Sequence, residues 1–307
     1  MTALHENKFL IVTLIIPLLF LSCRSDTDIS LVDFSKTIAL KQQEDQQSET
    51  ASFRVAVGAM ISPRETVANY HHLLEYLAGN LDKSIHLIQR KTYGEINKLI
   101  GNGQIDLAFI CSGPYATGKD VYGFEALAVP QIRGKHFYRS YLIVQKDSPY
   151  HQLSDLRGKV FAFTDPDSNT GKLVPTYWLA QRGETPANFF NKIIYTYSHD
   201  NSIMTVATAL VDAATVHEQI WEYYNDRDPV YTSQTRIIKK SISFGNPLMV
   251  ASSQLPDHIK ERMQHLLITM HHNVEGQKIL SELMIDRFIP PEEEWYQPIM
   301  AMQEKCK

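Results

Sequence analysis

The chain has 307 residues, 44% of them hydrophobic and 21% charged, with a formal net charge of −4. That supplies a sizeable core for one or two domains, and the slightly acidic balance argues against nucleic acid as a partner, which usually leaves a basic footprint. Apart from the start of the chain, no apolar run reaches the roughly 18 residues of a membrane-spanning helix.

At that start, Lys8 precedes an apolar stretch from Phe9 to Leu21 that ends in Ser22 and Cys23. Its length suits the hydrophobic region of an export signal better than a membrane span, and Pro17 weakens it as a helix. A small residue followed by cysteine resembles the lipobox of bacterial lipoproteins, in which the cysteine is lipidated and becomes the first mature residue. Phe20 stands where that motif usually carries Leu. The expectation is a signal peptide over 1–22 and a lipid on Cys23, with a plain secretory signal or an uncleaved anchor as the alternatives. Residues 24–52 are polar, with a second half rich in Gln, Glu, Asp and Ser. Such a segment cannot bury enough apolar surface to offset its ordering entropy, so 23–52 read as a lipidated tether. An oxidising compartment would permit a Cys111–Cys306 disulfide, but Cys306 lies one residue from the C-terminus and the reading is against a bridge.

From Phe53 onward strand-like and helix-like segments alternate. Residues 53–60 read as a buried strand. Ser62-Pro63-Arg64-Glu65 then matches a capping box, with Ser62 as N-cap and Pro63 in the first helical position. Val67, Tyr70, Leu74 and Leu77 follow at helical spacing, and Gly79-Asn80 closes the helix. A short strand over 85–89, a helix over 93–103 and a buried strand over 105–110 complete a β-α-β-α-β order. That order implies a mainly parallel sheet with helices on both faces. It returns further on, as a strand over 159–164, a helix over 171–182 and a short helix from Thr185-Pro186. A strand over 192–197, a helix over 201–210, a strand over 212–216 and a helix over 218–224 follow. Residues 125–131 and 138–146, between the two blocks, are extended with no helix separating them. After the second block come extended segments at 236–241 and 247–253, a long helix over 256–272 and a helical stretch over 277–284. The architecture predicted is α/β and two-lobed, with lobe 1 over 53–139 plus 245–307, lobe 2 over 140–244, and a two-crossover hinge near Ser140 and Gly245.

Ligands of open α/β sheets sit outside the carboxyl ends of the strands, so the strand-to-helix junctions are the candidate contacts. They are Gly58–Ser62, Cys111–Tyr115, Asp165–Gly171, Ser198–Asn201 and Val216–Glu218. At the third of these, Ser168, Asn169 and Thr170 stand where a helix N-terminus leaves N–H groups unpaired and a partial positive charge. Hydroxyl and amide donors there can hold a tetrahedral oxyanion with few or no Arg or Lys residues. Gly171 would let the backbone come close, and Lys172 reads as solvated. Pro175 is awkward, because in the second helical turn it removes an N–H and should kink the helix. The plain alternative for Ser168 and Thr170 is helix capping, for Gly113-Pro114 a turn, and for His199 a surface or capping role. The functional reading rests on several donor-rich loops falling at strand ends that one cleft would bring together.

The run Tyr138-Arg139-Ser140-Tyr141-Leu142-Ile143-Val144, followed by KDSPYHQLSDLRGKVFAFTDPDSNTGKLVP, resembles the phosphate/phosphite/phosphonate-binding family of ABC-importer receptors. That family carries a Y-x-S strand, a K-D-S-P turn, an L-x-D-L-x-G-K step and a D-P-x-S-x-[ST]-G-x-x-x-P loop. GQIDLAFICSGPY, YSHDNSIMTVA and VDAATV fall where the family has its other motifs, and the likeness covers roughly residues 53 to 290. The resemblance implies a type II periplasmic binding protein that captures a phosphorus oxyanion. It maps the family's hydroxyl-bearing loop onto Ser168, Asn169 and Thr170, and its histidine onto His199. The lobe 1 contacts map onto Ile61 and Ser62 and onto Ile110, Cys111 and Ser112. Ile110 stands where family members often place an aromatic, and His217 stands where the family keeps an acid, with Glu218 one residue on. A carboxylate there would accept a P–OH hydrogen or pair with an aminoalkyl ammonium. Either Glu218 takes that role or the ligand differs.

The resemblance further implies a monomer without cofactor or metal, partnered by a membrane permease and an ATPase. The rivals are a sensor built on the same domain and a receptor for another anion such as a sulfonate, since fold alone does not settle ligand. An enzyme is disfavoured. His217-Glu218-Gln219-Ile220-Trp221 opens like a zinc motif, but Trp221 stands in place of the second histidine. The His71-His72 and His271-His272 pairs are adjacent on their helices and suit one metal poorly.

Overall fold

A computed structural model describes residues 52–307. The leader, the tether and Cys23 lie outside the described residues. The first half alternates as the hydrophobic pattern predicts: β1 (Phe53–Val57), α1 (Pro63–Leu81), β2 (Ile85–Ile88), α2 (Tyr93–Gly101), β3 (Leu107–Ile110), α3 (Ser112–Tyr122) and β4 (Phe124–Gln131). β1 pairs in parallel with β2 on one side and β3 on the other, and β3 is buried at every residue, as a strand covered on both faces must be. A short strand, β5 (Phe137–Tyr138), then carries the chain into a second sheet.

That second sheet is built from β6 (Ser140–Gln145), β7 (Val160–Phe163), β8 (Lys192–Tyr195), β9 (Ala213–His217) and β10 (Thr235–Lys240). Its helices are α4 (Val174–Ala180), α5 (Pro186–Phe189), α6 (His199–Ala207) and α7 (Glu218–Arg227). The chain returns through β11 (Phe244–Gly245) to β12 (Leu248–Ser252), α8 (Asp257–Thr269), α9 (Val274–Glu282), β13 (Arg287–Ile289) and α10 (Gln297–Lys305).

The first sheet has the order β13-β4-β12-β3-β1-β2 and the second β10-β6-β9-β7-β8. In each, most strands run one way. β12 runs against both its neighbours, β13 runs against β4, and β6 runs against β9 and β10. The two crossovers are hydrogen-bonded to each other: β5 and β11 form an antiparallel ribbon with Tyr138 opposite Phe244. Two crossovers held as one ribbon make a narrow joint between two otherwise separate sheets, the geometry of a hinge.

Three segments differ from the sequence reading. Gly113-Pro114 is not a free turn but the first turn of α3, where Pro114 needs no N–H. Helix α1 runs past Gly79-Asn80 and ends at Leu81, with Asp82 in the left-handed region (φ 53°). The helix expected over 171–182 is broken in two: a π-turn over Asn169–Leu173 leads into α4. In the π-turn the Ser168 carbonyl accepts from both Lys172 and Leu173, and the Val174 N–H reaches back to Asn169.

Pro175 accounts for that break. An unbroken helix would need its N–H, and the carbonyls it leaves over are bonded from the neighbouring strands instead. The Ser140 hydroxyl donates to the Thr170 carbonyl at 2.8 Å, and the Thr164 N–H reaches the Gly171 carbonyl at 3.4 Å. Gly171 is required here by packing, since a Cβ at that position would lie 1.7 Å from the Thr164 hydroxyl oxygen. Gly171→Ala should therefore destabilise the folded chain by about 1–3 kcal/mol through overpacking. The urea midpoint, compared with that of the exposed-glycine control Gly79→Ala, reads that loss.

Candidate functional site

The loop after β7 enters the π-turn with Ser168, Asn169 and Thr170 all buried. Ser168 has the extended backbone of an N-cap, and its hydroxyl accepts the Gly171 N–H at 3.0 Å. Its side chain is thus a cap. Asn169 and Thr170 have capacity to spare: the Asn169 amide donates to the Tyr138 hydroxyl at 3.1 Å, while its Oδ1 and the Thr170 Oγ1 have no partner. Buried polar atoms are nearly always bonded, so a group of unbonded ones at one place marks where a polar ligand belongs.

Two histidines continue the group. His199 is the first residue of α6, after the N-cap Ser198, and His217 is the last of β9. The His217 N–H donates to His199 Nδ1 at 3.1 Å. Nδ1 must therefore be the unprotonated nitrogen, and the proton of the neutral ring sits on Nε2, which is buried and unpartnered. Burial pushes His199 down to about 3. Burial, and then the neighbouring His199, push His217 well below the usual histidine range. Both rings are neutral near pH 7. The His217 ring stacks on Tyr138 with centroids 4.0 Å apart, and its Nδ1 is also unpartnered.

The facing wall comes from the first sheet. Tyr93, the first residue of α2, presents a buried, unbonded hydroxyl. Ser112 shares a 2.5 Å hydrogen bond with Tyr138, which links α3 to the crossover. Cys111 is buried and free, as is the half-buried Cys306, in keeping with the expected absence of a bridge. Burial raises the Cys111 thiol, and the Gly113 and Asn169 N–H groups partly offset that. Ile110 is buried among the core side chains rather than facing the cleft as a contact.

The two halves are closed on each other. Asp165 accepts the Tyr93 N–H at 3.1 Å, and the His199 N–H donates to the Met60 carbonyl at 2.9 Å. Gly113 lies so close to the opposite loop that a Cβ on it would fall 2.7 Å from the Asp167 carbonyl oxygen. Ser62 does not behave as the expected capping box, because its side chain makes no cap bond. Its N–H is taken by the Asp200 carboxylate across the cleft at 3.0 Å. Of the alternatives His217 and Glu218, Glu218 accepts the Tyr141 hydroxyl at 2.7 Å, whereas His217 Nδ1 is buried without a partner. Trp221 donates to the Thr235 hydroxyl at 3.0 Å, and among the described residues no group of three or more His, Cys, Asp and Glu could hold a metal.

Sequence reasoning missed Tyr93, Tyr138 and Asp165. Tyr93 follows β2, and the strand-end rule applied to the first and third strands would have found it at the second. Tyr138 lies on the crossover, where no strand-end rule applies, and Asp165 was read only as part of its loop.

Comparison with known proteins bears on the family and the fold. Residues 55–296 match the model of a family described as the periplasmic substrate-binding protein of ABC phosphonate transporters. The chain is 27% identical over 154 residues to the phosphonates-binding periplasmic protein of Escherichia coli, a match covering 49% of this chain and 45% of that one. It is 25% identical over 180 residues to a "Probable ABC transporter phosphite binding protein" of Prochlorococcus marinus, covering 55% and 61% of the two chains. The matches thus span about half to two-thirds of these curated relatives. Among solved structures, a binding component of an ABC phosphonate transporter from Pseudomonas aeruginosa superposes with a TM-score of 0.77 at 22% identity, covering 82% of this chain and 85% of the other. The Prochlorococcus marinus protein in complex with methylphosphonate superposes with a TM-score of 0.75 at 19% identity, covering 83% and 98%. At these identities the structures speak for the fold.

The neutral histidines predict how stability responds to acid. Unfolded histidine titrates near 6.5, whereas His199 in the folded chain titrates at about 3. Between those values the unfolded chain binds more protons, so this contribution is intact above about pH 6.5 and is lost as pH falls, by up to about 1.4 kcal/mol per pH unit. Asp165, raised from 3.8 to about 6 chiefly by burial, acts oppositely between about 6 and 4, where the folded chain binds the extra proton. With two histidines against one carboxyl, urea midpoints should fall from pH 7 to pH 5. They should fall less in His199→Gln. An unchanged slope in that variant would contradict a buried neutral His199.

Proposed function

Because the chain belongs to the family of periplasmic substrate-binding proteins of ABC phosphonate transporters, we propose that it captures a phosphorus oxyanion outside the cytoplasm and presents it to the permease and ATPase of an importer. The observation that carries this reading is the group of buried, unpartnered polar atoms at the closed cleft: Tyr93 OH, Asn169 Oδ1, Thr170 Oγ1, His199 Nε2 and His217 Nδ1. Tyr93, Thr170 and His199 offer hydrogens to the oxygens of a tetrahedral anion. Asn169 Oδ1 offers an acceptor, which suits a P–OH and takes the part a carboxylate would otherwise play. The fit is to a singly protonated phosphonate, phosphite or phosphate.

Capture proceeds by closure at the β5–β11 ribbon, with 53–139 plus 245–307 moving as one lobe and 140–244 as the other. The anion replaces the missing partners in a site from which water is excluded, where each hydrogen bond is stronger. The site is read as a receptor rather than a catalyst, in keeping with a family described as substrate-binding proteins. Export by the 1–22 signal, lipidation of Cys23 and a monomeric chain on a 23–52 tether complete the proposal.

A thermal-shift and calorimetry panel of phosphate, phosphite, methylphosphonate and sulfate on the purified protein tests it. A ligand at about 100 times its dissociation constant adds roughly 2.7 kcal/mol of stability. Strong response to a phosphorus compound with weak response to sulfate is expected, and silence to all phosphorus compounds would overturn the reading. Thr170→Ala should weaken binding at least about tenfold while leaving the ligand-free protein as stable or slightly more so, because it removes a buried unbonded hydroxyl. Ser168→Ala should instead cost about 1 kcal/mol of stability through the lost cap.

A further inference from the structure

His217 faces two ways. Its Nδ1 belongs to the polar cluster, and its ring also borders an open cleft between the lobes whose walls are Ile61, Tyr70, Phe109, Ile220, Tyr223 and Ile285. No lysine, arginine, aspartate or glutamate lines this cleft. Of its other polar residues, Tyr224 keeps a buried hydroxyl without a partner, a neutral group, while Tyr223, Asn69 and Gln219 are committed elsewhere. The Tyr223 hydroxyl donates to Asn69 Oδ1, the Asn69 amide donates to the Glu65 carbonyl, and the Gln219 amide donates to Asn246 Oδ1 at 2.9 Å. Acids stand in adjoining depressions: beyond Tyr224 lie Glu65, Asp200 and Asp228, of which Asp200 accepts the Ser62 N–H, and beyond Gln219 and Tyr223 lies Glu222, which pairs with Arg133 and accepts the Tyr141 hydroxyl. His217 itself is neutral, so the cleft offers an ammonium group no counter-charge.

We infer that the ligand is an organophosphonate whose substituent is uncharged and apolar, an alkyl chain or aryl ring larger than methyl, lying in this cleft while the phosphonate occupies the polar cluster. The inference rests on the anion reading and deepens it. The cluster and the cleft share His217 as a wall, so a molecule whose charged head is held at its Nδ1 would lay an apolar tail along the cleft side of the ring. An aminoalkyl substituent of the same size would have to shed the hydration of its ammonium against aromatic and aliphatic walls with no acid to receive it, and such uncompensated burial is costly. Each further methylene against those walls adds affinity, by about 10-fold or more when well packed.

The discriminating pair is propylphosphonate and 2-aminoethylphosphonate, which are nearly isosteric and differ in a terminal methyl against an ammonium. Calorimetry on the full chain with these two, methylphosphonate and phenylphosphonate reads the dissociation constants directly. Propylphosphonate and phenylphosphonate are expected to bind at least about tenfold more tightly than both methylphosphonate and 2-aminoethylphosphonate. Methylphosphonate binding as tightly as the larger apolar compounds, or 2-aminoethylphosphonate binding best, would overturn this inference and leave the anion site standing. Failure of all four would overturn this inference, and the anion reading falls with it only if phosphate and phosphite are silent as well.

Discussion

A proline nitrogen has no hydrogen to donate, and much of the site follows from where Pro175 sits. A regular helix started at Asn169 would strand the Gly171 carbonyl, four residues before Pro175, and a π-turn continued to Pro175 would strand the Thr170 carbonyl, five residues before it. The chain winds into a π-turn, and the two carbonyls are bonded by Ser140 from β6 and by Thr164, the residue that follows β7. That arrangement locks the loop to two strands of its sheet and leaves the Thr170 hydroxyl and the Asn169 Oδ1 unbonded in the cleft. It also places Ser140, the first residue after the crossover, in direct contact with the ligand loop. A change in the angle of the crossover is therefore felt at the loop through one hydrogen bond.

The histidine pair is fixed by a comparable economy of parts. One backbone N–H, from His217, sets the tautomer of His199, and the strand that carries it ends at that residue, so α7 begins where the ring turns toward the cleft. Burial without a carboxylate partner keeps both rings neutral. A structural histidine is usually satisfied on both nitrogens or exposed on one. Here each ring keeps a buried nitrogen free, which is why the pair reads as part of a site rather than of the core.

Much of this was legible in the residues. The alternation of short apolar runs with capped amphipathic segments led to two α/β halves. The linked motifs of the central run led to Ser168, Asn169 and Thr170, and the separate YSHDNSIMTVA motif to His199, all four buried. What was illegible depended on long-range partners. Ser62 reads as a capping box locally, yet its N–H is claimed by Asp200, 138 residues away. Gly171 suggests close approach to a ligand, whereas its missing Cβ makes room for Thr164. Gly113-Pro114 looks like a turn because both residues disfavour helices in general, and the rule fails at a first turn, where neither an N–H nor a side chain is needed. Tyr93 and Tyr138 show their position but not their role, since a buried tyrosine whose hydroxyl is left free, as at Tyr93, or joins a polar network, as at Tyr138, is spelled like any core aromatic.

The donors assembled here carry dipoles but no formal positive charge. Lys260, the one buried lysine or arginine among the described residues, is engaged with Glu125 and Asp257 rather than with the cleft. Attraction between full charges fades within a Debye length, about 8 Å at physiological ionic strength, and fades further as salt rises. Short hydrogen bonds inside a closed, dry site are hardly screened at all. A receptor built this way gives up long-range steering of its anion, and in return its hold on the ligand stays nearly constant across fresh and saline surroundings.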